Sequence, residues 1–242
     1  MPGAGTNTAI HTGMGIRMLT DLNLARLLAW SSPSYPIGAY TYSHGLETAV
    51  ERGEVRNRDS LVDYVEAVLT RGGGWADAVL FAHAHAAAPD EAAFDDIAEL
   101  AAAFRATSET ALESHQQGEA FLKVTRAAWP HPALDAFAAR TTGPIAHCAV
   151  AALAAAAHAV PVRPALAAFL HGTAANLVSA GVRLVPLGQT DGQVALARLT
   201  AVVEASADRA LETALDDLGT AAPLLEFASM AHETLYTRLF RS

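Results

Sequence analysis

One cysteine, Cys148, stands in 242 residues, which excludes an internal disulfide and a thiolate zinc cage and fits a reducing cytoplasm. Lysine is equally scarce. Lys123 is the sole one, it follows no glycine, and no G-x-x-x-x-G-K-[ST] run exists, so the chain carries no P-loop of its own for GTP or ATP. Positive charge is short overall: 16 basic against 25 acidic residues leave a net charge of −9, with no basic run, which argues against a nucleic-acid partner. Long hydrophobic runs are missing too. The most apolar stretch, Cys148 to Val160, is bounded by Pro144 and Pro161, holds His158, and falls short of the roughly 20 residues a membrane helix needs. A soluble protein with no membrane partner is expected.

Strand-like alternation of convincing length is absent, and so is any internal repeat. Alanine dominates instead, and alanine favours helix. Residues 61, 62, 65, 68 and 69 are apolar at helical spacing behind a Ser60/Asp63 capping pattern, and "RGGG" at 71–74 stops that helix. Further helical segments read as roughly 21–31, 43–52, 75–88, 90–127 with one break, 146–159, 164–182, 191–218 and 224–239. The fold class is therefore all-α, a single-domain helical bundle with irregular Pro/Gly-rich joints. Residues 1–18, rich in Gly, Thr and Pro, read as a flexible leader rather than a signal peptide. Residues 19–242 read as the domain, ending in a tail at about 229–242.

Ten histidines invite a metal reading, and "HAH" at His83 and His85 is the obvious candidate. Residues two apart on a helix point about 200° from each other, so the pair does not chelate and reads as two solvated or half-buried histidines. His147 beside Cys148 fails in the same way, leaving a buried, inert cysteine. Ser43 next to His44 suggests nucleophilic catalysis, but adjacent helical residues diverge by about 100° and no G-x-S-x-G elbow is present. Glu109 and Glu113, one turn apart, could pair as acid and base, and a solvated acidic face is the commoner reading.

With catalysis disfavoured, the stretch "SSPSYPIGAYTYSHGLE" at 31–47 stands out. It puts two prolines, two glycines and three tyrosines between helices, a composition suited to binding another protein, because tyrosine gives rigid amphipathic contact. Extended to "SSPSYPIGAYTYSHGLETAVERGEV", it resembles the N-terminal signature of the UreF-type urease accessory proteins. "SETALESHQQGEAF", "PLGQTDGQ" and "MAHETLYTRLFRS" fit the same family in the same order, so the resemblance spans about Leu24 to Ser242.

The resemblance implies an all-helical protein without enzymatic activity or cofactor of its own, which helps load nickel into apo-urease. It implies a homodimer that binds UreD, called UreH in some organisms, and through that complex recruits the GTPase UreG, which carries the nickel. Carried over by residue, it implies partner contact at Tyr40, Tyr42, Ser43, Glu47, Gln189, His232, Glu233, Tyr236, Arg238 and Arg241. It assigns structural roles to Pro36, Gly38, Gly45, Pro186 and Gly192. Tyr40 and Arg238 are the leading contact candidates, with a buried tyrosine fixing the turn as the alternative for Tyr40. The tail "HETLYTRLFRS" is too short to hold a helix alone, so it is expected to be frayed until a partner orders it, and its deletion to leave the melting temperature nearly unchanged. Where many family members have E-L-R, this chain has Glu109, Thr110 and Ala111. Two rival readings stay open: a nickel-binding metallochaperone that uses its own histidines, and a regulator that stimulates or gates the GTPase.

Overall fold

The computed structural model describes residues 19–241; the expected leader, residues 1–18, lies outside the described residues. The chain forms α1 (Asp21–Trp30), α2 (Leu46–Glu51), α3 (Arg58–Arg71), α4 (Gly73–Ala87), α5 (Glu91–Ala103) and α6 (Ser108–Ala128). It continues through α7 (Pro132–Arg140), α8 (His147–Ala157), α9 (Val162–Leu184), α10 (Gln189–Glu212) and α11 (Pro223–His232). Two 3-10 turns, Ala39–Thr41 and Leu215–Asp217, complete the set, and no strand occurs among the described residues. The chain is all-α, as the alanine-rich sequence implies.

Helices α4 and α8 form the centre. Both are predominantly apolar with no single buried stripe, as central helices are, and Cys148 to Ala155 are buried without interruption. Around them pack α3, α5, α6, α9 and α10. Helix α9, at 23 residues, is by length and composition apolar enough to cross a membrane, yet it packs against α10, α3, α4 and α8.

Local chemistry sets the joints. Asn57 caps α3 in a reciprocal box with Ser60, so Ser60 is the third helical residue and the helix starts before the expected Ser60/Asp63 pattern. The long 90–127 segment breaks once, at 104–107, where Thr107 accepts from the Thr110 N–H and starts α6. Helix α7 was not expected between "WPHP" and "TTGP". Pro132 sits at its first turn, where proline fits, and His131 Nδ1 accepts from the Ala133 N–H. The final helix stops at His232 rather than near 239, and the remaining residues turn back onto the body.

Candidate functional site

The 31–47 segment is a joint between α1 and α2, shaped by three consecutive demands on the backbone. Gly38 (φ 75°) opens the 3-10 turn Ala39–Thr41, and His44 (φ 56°) with Gly45 (φ 79°) turns the chain into α2. At Gly45 a Cβ would lie 2.8 Å from the Ser229 nitrogen of α11, so only glycine fits there. His44 bears its left-handed backbone without that freedom; the Tyr64 hydroxyl donates to its carbonyl at 2.9 Å and pins it. Pro36 is exposed just before this turn.

The side chains of the joint divide by side. Tyr42 is buried and its hydroxyl donates to Gln116 of α6. Ser43 is fully buried, and its Oγ accepts from the Glu47 N–H at 3.4 Å. Tyr40 points outward and is 64% exposed. Two tyrosines of one short motif thus do opposite work.

Beneath the joint lies a charged cluster. The fully buried His232 has Nε2 2.9 Å from Glu47 Oε2 and Nδ1 2.9 Å from Glu109 Oε2. A carboxylate only accepts, so each ring nitrogen that hydrogen-bonds here does so as the donor. Arg238 adds a guanidinium, its Nη1 3.3 Å from Glu109 Oε1. Glu47 does more than pair with His232: it accepts the Leu239 N–H at 2.7 Å and the Phe240 N–H at 3.0 Å. Arg241 N–H donates to the Thr41 carbonyl at 2.8 Å, its Nη1 donates to Gln116, and Phe240 is buried.

The tail is therefore tied down within the free chain, contrary to the expected fraying. Its ordering comes from a carboxylate of α2 satisfying tail amides that a short terminal segment could not satisfy by itself. Arg238 finds its carboxylate in this chain's own Glu109. Tyr236 is fully exposed, and Leu239 is 65% exposed. Glu233 accepts from Ser108 Oγ at the start of α6.

Next to the joint a cavity of about 160 Å³ is walled by Trp30, Tyr35, Phe121 and Phe169, with His44, Glu113 and His147 among its lining. Burial by itself would push the His44 imidazole down; the Glu113 carboxylate, 3.4 Å from Nδ1, outweighs it and raises the pKa above the ordinary histidine value. At His147 burial outweighs the pull of the Asp77 and Glu113 carboxylates and pushes the ring down to about 4, so it is neutral. Behind it, Arg105 pairs with Asp77 at 2.7 Å, and burial pushes the Cys148 thiol up, which keeps it protonated and inert.

His44 Nδ1 faces Glu113 rather than Ser43. His83 and His85 point to different carbonyls, Thr213 at 3.0 Å and Val160 at 2.9 Å, as the two-residue spacing requires. Among the described residues no three His, Cys, Asp or Glu side chains converge as a metal site.

Three residues expected on a partner surface, Tyr42, Ser43 and His232, are interior and act beneath it, because their polar atoms are taken by this chain. Tyr40, Glu233, Tyr236, Arg238 and Arg241 are exposed, and Glu47 is partly buried. Gln189 and Pro186 are exposed at the joint between α9 and α10; there Gly192 is buried and Asp191 pairs with Arg58 at 3.1 Å. Glu109 and Glu113 do not form a solvated face: both are paired, to His232 and Arg238 and to His44. Reading the sequence missed Gln116 and Arg183 as parts of the joint. "HQQGE" and "GVRL" carry no local sign of that use.

The family model described as UreF matches residues 55–200. A urease accessory protein UreF of Granulibacter bethesdensis is 53% identical over 224 residues, covering 92% of this chain and 95% of that protein. One from Rhodopseudomonas palustris strain BisB5 is 48% identical, covering 91% of each, and one from Xanthobacter autotrophicus is 47% identical, covering 95% and 96%. With matches of this identity along nearly the whole length, the chain belongs to the UreF family of urease accessory proteins.

Proposed function

We propose that the chain is a non-catalytic adaptor in urease maturation. It binds UreD (UreH), recruits the GTPase UreG through that complex to apo-urease, and leaves the nickel to those partners. It acts in the cytoplasm as a homodimer and needs no cofactor. One observation carries this reading: the joint and the tail are locked into one unit whose ionisable groups are spent on each other, while Tyr40, Tyr236 and Leu239 are left facing outward. Large side chains standing on a fixed frame bind at low entropic cost, which suits docking rather than chemistry.

Co-elution of the purified chain with UreD, followed by addition of UreG, tests the adaptor reading. The expected result is a stable complex with UreD that then retains UreG, and a roughly tenfold or greater weakening by Tyr40→Ala with the fold intact. A chain that stays separate from UreD overturns it. Tight stoichiometric nickel binding by the isolated chain would favour a metallochaperone instead.

A further inference from the structure

Arg183, in the last turn of α9, touches both halves of the docking site. Its Nη2 donates to the Tyr40 carbonyl at 2.9 Å, and its guanidinium lies 4.4 Å from the centroid of the Phe240 ring. Nε donates to the Ser179 carbonyl of its own helix at 3.2 Å, so the planar group is fixed at its root. No carboxylate pairs with it among the described residues. Charge pairing therefore does not account for its placement.

Several other ties in the joint run from tail to loop. Glu47 holds the Leu239 and Phe240 amides, and Thr41 holds the Arg241 amide. Further ties hold both segments to α6, where Gln116 accepts from Tyr42 and Arg241 and Glu109 pairs with Arg238, but none of these reaches α9. From α9, Asn176 reaches the Tyr42 carbonyl only at 3.5 Å. Arg183 supplies the shorter link from this core helix to the turn that displays Tyr40, and it does so while covering Phe240, the tail's buried anchor.

We infer that Arg183 is a positioning residue for partner docking: it registers the Tyr40 turn and the Phe240 anchor on α9, so that Tyr40 and Leu239 stand on one surface. This rests on the reading above that Tyr40 meets UreD. A guanidinium suits the task because its edge donates while its face stacks. An ammonium offers a point charge without the plane.

The test is a double-mutant cycle on affinity for UreD, using the full chain, Arg183→Met, Tyr40→Ala and the double variant, with amide exchange at Leu239 and Phe240 followed in each. Arg183→Met should weaken binding about tenfold and speed exchange at both amides, with the global melting transition retained. In that background Tyr40→Ala should cost far less than it does in the natural chain, because the ring is already misplaced. Arg183→Lys should also be impaired, and it serves as the readout if the methionine variant folds poorly. Strictly additive losses would overturn the inference, since they would make Arg183 a direct contact or a general stabiliser; so would normal binding by Arg183→Met. Normal binding by Tyr40→Ala alone would instead overturn the docking reading. The registering role of Arg183 would then stand or fall on the exchange at Leu239 and Phe240.

Discussion

Tyr40 and Tyr42 sit two residues apart in one motif and face opposite ways, because a 3-10 turn with a left-handed glycine before it separates them. Neither helical nor strand periodicity applies to such a turn, so sequence could name both tyrosines and not tell their sides. Glu109 was illegible for a different reason: its partners His232 and Arg238 come from more than 120 residues away, and pairing across that distance leaves no local pattern. His147 gives a prediction at this scale. Its folded pKa, about 4, lies below the ordinary histidine value of 6.5, so the unfolded chain takes up the proton first. The stability it represents is complete above about pH 6.5 and is lost as pH falls toward 4, amounting to about 3 kcal/mol over that window. Urea denaturation of the natural chain and His147→Phe at pH 7 and pH 4.5 checks this. The variant, which still fills the space between Phe121 and Phe169, should show a clearly smaller loss, and equal losses would mean that the ring is not the titrating group.

Among the elements, the long periodic helices were legible and the short joints were not. Apolar spacing found α3, and a single break in 90–127 was expected from its length, with Thr107 fixing its place in the structure. Helix α7 was hidden by its own prolines, which look like loop residues until Pro132 is recognised at a helix start. The tail was misjudged because chain-end length was weighed without the acceptor that α2 supplies. Deleting residues 232–242 would remove buried Phe240 and leave Glu47 and Glu109 without His232 between them. That should lower stability by about 3 kcal/mol or more, roughly 6 to 12 °C in melting temperature for a chain of this size. An unchanged melting temperature would show that the tail is not held as described. This differs from loss of a partner surface alone, which would spare the melting temperature and reduce only complex formation.

At the scale of the whole molecule, the absences in the sequence and the arrangement of the fold point the same way. A chain with one lysine, one buried cysteine and no phosphate loop has its conspicuous polar residues, Glu47, Glu109, His232 and Arg238, paired with one another beneath a surface of exposed large side chains. The four ordered motifs made the family legible; they could not say which of their residues face outward, because burial is decided by how α2, α6, α9 and α11 meet. The most direct test of the account is hydrogen–deuterium exchange of the intact chain, alone and bound to UreD. In the free chain the Leu239 and Phe240 amides should already be protected, and binding should add protection concentrated in residues 39–47 and 230–241. Fast exchange at those two amides in the free chain, or a footprint of UreD elsewhere on the bundle, would contradict it.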